Sequence, residues 1–504
     1  MQILLKGVTD ERLIRPLSLI ANLFYEESAL EVDNHSAAAD ADIVITLQNK
    51  SNEEFMITQA KLEDLKNKKQ YTSSFKKEAM SLSKDKTEFQ LIKHAFSYVF
   101  LKVLEEFSGM YQKWGMLTGV RPTKLWHQYM RNQVDPNEAK KQLRELYSIS
   151  DEKLDLLENI VNCQLAVIPD LYELKKEISI YIGIPFCPTK CAYCTFPAYA
   201  INGRQGNVSS FLGGLHYEMR EMGKWFKENN IKITTIYFGG GTPTSISAEE
   251  MDMLYEEMYE SFPNVDKVRE ITVEAGRPDT ITEDKLKIMK KWNIDRISIN
   301  PQSYTQETLK AIGRHHTVEE TIEKYHLAKS AGMNNINMDL IIGLPGEGIA
   351  ELQNSLSETE KLMPESLTVH TLSFKRASEM TKNKHRYQVA DRTEVEKMMQ
   401  EAEQWTASHG YHPYYLYRQK NILGNLENVG YALPDMESLY NILIIEEQQT
   451  ILGLGCGAAS KFIHPVTGKI THFANPKDPK SYNDGFKSYT DKKIELLESH
   501  FQTK

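Results

Sequence analysis

The chain has 504 residues, 41% of them hydrophobic, and a formal net charge of −9. That length predicts two or three domains, and the acidic balance excludes a protein that binds nucleic acid over its whole surface, leaving only a local basic patch. Five cysteines, an odd number, do not suit a disulfide framework, and no apolar run reaches membrane-span length. Met1 to Gly7 is too short and wrongly flanked for a signal peptide, so the cytoplasm is the expected location.

Residues 1–173 read as an N-terminal α/β or α+β domain. Strand-like runs at Met1–Gly7 and Asp40–Leu47 flank a helical pattern at Leu13–Glu27, and Glu54–Ala60 is a candidate third strand. The lysine-rich piece Lys61–Lys86 contains acidic residues too and reads as a solvated helix or loop. Helical periodicity covers Phe89–Phe107 and Asp151–Val167, with Cys163 read as a core thiol in the latter. Between them, Trp114–Met130 reads as a helix entered through Pro122, with Arg121, Lys124, His127 and Arg131 on a solvated basic face; a face turned to the active site is the alternative.

Residues 174–380 follow a different pattern, in which apolar strand candidates alternate with amphipathic helices. The strands are expected at Ile178–Ile184, Ile233–Phe238, Glu270–Glu274, Arg296–Asn300, Ile336–Ile342 and Leu367–Phe374. Strands spaced by helical crossovers imply a parallel sheet, and six rather than eight imply an incomplete barrel open on one side. Just beyond the first strand, Cys187, Cys191 and Cys194 stand as C-x3-C-x2-C. Three thiolates this close can each hold one iron of a cubane cluster and leave the fourth iron open. A structural zinc site would need a fourth ligand, and no Cys or His follows within the next few residues. The spacing, with Tyr193 just before the third cysteine, resembles that of radical S-adenosylmethionine (SAM) enzymes. The resemblance implies a 4Fe-4S cluster whose open iron chelates SAM, and cleavage of SAM to methionine and a 5′-deoxyadenosyl radical.

Successive strand ends then carry residues suited to SAM. Gly239, Gly240, Gly241 and Thr242 let the backbone approach a ligand, with carbonyls free to accept from an ammonium group. Glu274 can accept both hydroxyl hydrogens of a ribose, Gln302 and Ser303 end the fourth strand, and Arg314 can pair bidentately with a carboxylate. Asp339 is a charge inside an otherwise apolar strand.

The motifs YIGIPFCPTKCAYC, YFGGGTPT, ITVEAGRPDT, RISINPQS with IGRHH, MDLIIGLPGE and ILGLGCGAAS, spanning Ile178–Ser460, together resemble the oxygen-independent coproporphyrinogen III oxidase (dehydrogenase) family, and most closely its HemZ-type branch. By that resemblance the fold is an incomplete (β/α)6 barrel with the N-terminal domain before it and a short, substrate-covering extension, residues 381–504, after it. Tyr181, Glu274, Gln302, Arg314 and Asp339 match family positions at or near SAM, Tyr193 an aromatic beside its adenine, and Tyr181 and Gln302 are the candidate catalytic residues. The implied activity is oxidative decarboxylation of two propionates of coproporphyrinogen III to vinyl groups, with an electron donor and a final electron acceptor as partners. The alternative is a haem-binding carrier that retains the radical site. Phe196 stands where the dehydrogenases have a further cysteine that is not a cluster ligand, a form shared with haem-binding chaperones, and the stretch after Ser460 is shorter than their C-terminal helical domain. A tetracarboxylate substrate needs cations and an apolar or aromatic wall. Lys375 and Arg376 follow the sixth strand, and Tyr411–Asn421 offers Tyr414, Tyr415, Tyr417, Arg418 and Lys420 on either a substrate wall or an amphipathic edge strand. Cys456, among glycines, reads as a packing residue.

Overall fold

The computed structural model describes residues 1–25, 28–32, 41–51, 55–78, 87–196, 198–201, 207–375, 377–419 and 422–501. The chain divides into two compact units, Met1–Glu158 and Asn159–Lys504.

In the first unit, β1 (Gln2–Lys6), β2 (Ala29–Val32), β3 (Ile43–Ser51), β4 (Phe55–Asp64) and β5 (Lys69–Glu78) form a sheet in the order β2-β1-β3-β4-β5. β1 runs parallel to β2 and β3, whereas β3, β4 and β5 form an antiparallel meander. One face is apolar: Ile3, Leu5, Ile43, Ile45, Leu47, Ala60 and Leu62 pack with Leu17 and Ile20 of helix Ile14–Ala21 and with Phe96, Phe100 and Val103 of helix Glu88–Ser108. The longer helix starts with a capping box between Thr87 and Gln90 and ends at Gly109, whose φ of 69° suits a residue without Cβ.

Two expectations for this unit fail. The described part of Lys61–Lys86 is the end of β4, a tight turn and all of β5, not a solvated helix or loop, because Tyr71 and Phe75 alternate onto the core while Lys76 takes the other face and Lys69 and Lys77 stand at the two ends of the strand. Such charge suits an edge strand, which must resist pairing with other chains. The helix after Pro122 is present at Thr123–Arg131, but His127 is fully buried rather than on a solvated face.

The second unit is built on an 11-stranded sheet. Its elements are β6 (Ile178–Ile184), the two-residue strands β7 (Phe186–Cys187) and β8 (Tyr199–Ala200), which pair with each other, then β9 (Ile233–Gly240), β10 (Glu270–Val273), β11 (Arg296–Ser298), β12 (Ile336–Ile342), β13 (Ser366–Thr371), β14 (His412–Tyr417), β15 (Asn428–Ala432), β16 (Thr450–Gly455), β17 (Ala459–Ile463) and β18 (Ile470–Ala474). β6 and β9 to β13 are the six expected parallel strands, neighbours in chain order, with helices in the crossovers. Covered on both faces, they read as continuous apolar runs. Helix Val208–Glu228, for example, buries Phe211, Leu215, Met219, Met222 and Phe226.

The expected set of six strands misses a seventh: β16 runs parallel to β6, from Thr450 beside Ile178 to Gly455 beside Gly183. Its glycines disguise it as a turn, yet a Cβ at Gly453 would stand 2.8 Å from the backbone of Ala459, and one at Gly455 2.5 Å from the carbonyl oxygen of Gly183. Antiparallel strands extend both sides, β15 and β14 beyond β13, and β17 and β18 beyond β16. β14 and β18 each keep one neighbour, so the barrel stays open. Residues beyond 381 thus supply five strands of this sheet.

Candidate active site

The C-terminal ends of the parallel strands surround a cavity of about 630 Å³, the end at which (β/α) barrels place their sites. Cys187, Cys191, Cys194, Tyr181, Tyr193, Gly240, Gly241, Thr242, Glu274, Gln302, Arg314 and Asp339 all line it, whereas Gly239 and Ser303 do not. Arg376 and Lys420 lie outside the described residues.

The cysteine loop is held on three sides. At its entrance Gly241 N donates to Ile184 O and Thr242 N to Phe186 O, both at 2.7 Å, and Thr242 Oγ1 is 3.3 Å from Cys187 Sγ. Further along, Ala192 N donates to Ile312 O and Thr189 Oγ1 to Gly313 O, which seats the loop on the turn before Arg314. At its exit Tyr199 N donates to Pro185 O. Arg277, not singled out in the sequence, clamps the loop with Nη1 on the carbonyl and hydroxyl of Thr189 while pairing with Asp279.

The three thiols are close enough to affect one another's charge. Burial holds the Cys187 thiol up at about 11, opposed by its contact with Thr242, and burial likewise raises Cys194. These thiols keep their protons until a metal displaces them. All three thiols line the one cavity. The donor set therefore fits a cubane with one open iron.

The remaining wall has the features of a polar cofactor cradle. A Cβ at Gly241 would stand 2.6 Å from Phe186 O and 3.1 Å from Cys187 Sγ, and Gly240 has φ 107°, so backbone fills this wall where side chains cannot. Ser298 Oγ, Asn300 Oδ1, Gln302 Oε1 and Arg314 Nε are buried without a hydrogen-bond partner, and all four residues line the cavity. Such groups are costly unless a ligand satisfies them. Gln302 adopts φ 67°, fixed by its N–H on Asp339 O and by its carbonyl accepting from Ile341 N. Arg314 does not present a free fork: Nη1 and Nη2 donate to the carbonyls of Asn300 and Gly276, leaving Nε without a partner.

Two carboxyl groups in the cavity behave differently. Burial lifts Glu274 to about 7 against a 2.5 Å hydrogen bond donated by Tyr237 OH, and the charge of Asp339 adds to the rise. Burial also acts on Asp339, but hydrogen bonding and charge from His370, with Asn337 and Thr368, outweigh it and hold the carboxyl below its usual range. His370 sits on β13, received no notice in the sequence, and accepts or donates at 3.3 Å to Tyr417 OH.

Part of the wall is aromatic. Tyr181, Tyr237 and Tyr440 form a stack, with Tyr237 and Tyr440 centroids 4.3 Å apart. Along β14 and just beyond, the period of two puts Tyr415, Tyr417 and Gln419 on the cavity. Tyr414 and Arg418 are not on it: Tyr414 packs in a core and Arg418 donates to Asn425. Lys375 lines the cavity near the half-exposed ring of Phe196.

A parallel partial barrel carrying three convergent thiols at its strand ends is the architecture of a radical SAM protein. The family model of the radical SAM superfamily matches residues 181–358. The chain is 63% identical over 502 residues to the oxygen-independent coproporphyrinogen-III oxidase-like protein HemZ of Bacillus subtilis (strain 168), covering 100% of this chain and 99% of that one. It is 29% identical to the heme chaperone HemW of the same organism, over 63% of this chain and 81% of that one. The structure of the Escherichia coli coproporphyrinogen III oxidase HemN has the same fold, with a TM-score of 0.51 at 20% identity over 65% of this chain and 72% of that one. The chain belongs to the HemZ-type, coproporphyrinogen-III oxidase-like family of the radical SAM superfamily, whose cofactors are a 4Fe-4S cluster and SAM. Among the described residues no helix is long and apolar enough to cross a membrane.

Proposed function

We propose that the protein oxidatively decarboxylates coproporphyrinogen III to protoporphyrinogen IX without oxygen. The observation that carries this reading is one cavity lined together by the three thiols, by unpartnered polar atoms and by Lys375, His370, Tyr415 and Tyr417. Cys187, Cys191 and Cys194 hold the cluster. The backbone of Gly240, Gly241 and Thr242, with Glu274, Arg314 and Tyr193, holds SAM, and Tyr181, Gln302 and Asp339 complete the contact with the reacting region. Bound together, these cofactors supply abstraction of a hydrogen atom from an unactivated carbon.

The chain's own residues do the rest. Lys375 receives a propionate carboxylate, and the tyrosine walls cover the macrocycle and exclude water. Each propionate loses a hydrogen atom from the carbon next to the ring, then carbon dioxide and one electron, which passes to a one-electron acceptor; a vinyl group remains. No proton has to leave that carbon, so no acid–base dyad is required. His370 holds Asp339 ionised, keeping a fixed negative charge near the cofactor.

The test is anaerobic incubation of cluster-loaded protein with SAM, reductant, an electron acceptor and coproporphyrinogen III. SAM-dependent mono- and didecarboxylated porphyrinogens are expected. A second reading, haem carriage, is favoured by Phe196, 57% exposed beside Lys375, and by the chaperone relatives. Stable haem binding with no decarboxylated product would replace the first reading by the second.

A further inference from the structure

We infer that Cys163, His412 and Glu437 form a second metal site, separate from the cluster, that takes one zinc ion. The three residues come from distant segments: helix Asp151–Val167, the first residue of β14, and the turn just before Ser438, which caps helix Leu439–Glu446. Their ligand atoms nevertheless lie within 4.8 Å of one another. His412 Nε2 stands 2.5 Å from Glu437 Oε1, and Cys163 Sγ stands 3.8 Å from the same oxygen.

The surroundings call for a cation. The Glu437 side chain is only 3% exposed, and its ion-pair partner among the described residues is His412, while the nearby Arg296 is spent on the carbonyl of Met436 and on Asn335, Asn337 and Ser366. A buried carboxylate without a lasting positive charge is costly, and imidazole is charged only when protonated. A divalent cation between the three groups supplies that charge at any pH at which they can ligate. It would draw the donors to about 2.0–2.3 Å from itself and open the short His412–Glu437 contact.

The donor chemistry selects the ion. One sulfur, one imidazole nitrogen and one carboxylate oxygen suit zinc, whereas calcium and magnesium take oxygen ligands. Three protein ligands leave the fourth position to water, and the His412 side chain, 33% exposed, lies on the entry route. None of the three residues lines the radical cavity. Two of them begin segments that do: His412 leads into Tyr415 and Tyr417, and Glu437 leads into Tyr440 and Asn441. The ion would thus fasten two walls of the cavity to the helix that carries Cys163.

Zinc titration of the full-length, cluster-loaded protein after chelator treatment tests this, with iron content measured to show that the cluster thiols remain occupied. One zinc per chain should survive gel filtration. Cobalt(II) in its place should show the thiolate-to-metal charge-transfer band and the visible bands of a four-coordinate site. Cys163→Ser should abolish the charge-transfer band, and His412→Ala should weaken zinc binding by more than roughly 100-fold, beyond the loss of an outer-shell partner, with iron unchanged. Wild-type protein that keeps no zinc, or variants that keep as much as wild type, would overturn the proposal. The wild-type titration decides even if a variant fails to fold.

Discussion

Replacing Gly241 by alanine tests the cysteine loop with a single methyl group. The added carbon would overlap the carbonyl oxygen of Phe186 and crowd Cys187 Sγ, and neither can retreat without breaking the backbone bonds that close the loop. Cluster iron per chain is therefore expected to fall several-fold in Gly241→Ala, while an alanine at the more open Gly346 turn should strain only its own backbone at φ 77° and leave iron unchanged. Glu274 predicts a pH dependence. Its folded-state carboxyl titrates near 7, above the usual value, so the folded state binds the extra proton and stability falls as pH rises from about 4.5 through 7. Glu274→Gln should remove that slope, making the variant more stable than wild type at pH 8, by up to roughly 3 kcal/mol, and equal to it near pH 4. Chemical denaturation at several pH values reads this. For the substrate wall, Lys375→Met should lower kcat/KM for coproporphyrinogen by about 10- to 100-fold, the value of a charge-assisted hydrogen bond, with SAM affinity unchanged in a calorimetric titration.

At the scale of elements, the glycine-rich strand β16 depends on a buried ion pair. Lys493, on helix Pro479–Phe501, donates to Glu218 on helix Val208–Glu228 and to Gly453 O, with both charged side chains fully buried. Glu218 also accepts from Gly455 N, Asn475 Nδ2 and Tyr482 OH. Removing one charge strands the other: Lys493→Met is expected to cost about 3–5 kcal/mol, and the pair Lys493→Met with Glu218→Gln, which removes both charges and keeps an acceptor for the neighbouring donors, less. Thermal melting of the single and double variants distinguishes this from simple loss of packing. The same strand marks a limit of sequence reading. Ile178–Ile184 and Ile336–Ile342 were readable to their end residues because doubly covered parallel strands are uninterrupted apolar runs. Thr450–Gly455 was not, since two glycines demanded by close backbone approach look like a turn. In β5 the lysines masked the inward pair Tyr71 and Phe75.

At the scale of the whole molecule, the site was legible where chemistry imposes local spacing and illegible where it depends on distant pairing. The three cysteines and the glycine run announce themselves within a few residues. Arg277 and His370 do not, because what matters about them is a contact with Thr189, 88 residues away, and with Asp339 on the neighbouring strand. The cavity also brings together strand ends from both halves of the open sheet, so cofactor and substrate walls meet without a closed barrel. For the proposed reaction, this single space must let a hydrogen atom pass from substrate to the adenosyl carbon. The most direct measurement is an anaerobic single turnover with coproporphyrinogen III deuterated at the propionate carbons next to the ring, followed by mass spectrometry of the 5′-deoxyadenosine formed. The expected result is 5′-deoxyadenosine carrying one deuterium, appearing with the decarboxylated product and absent in Cys191→Ala. Unlabelled 5′-deoxyadenosine alongside unchanged substrate would contradict it.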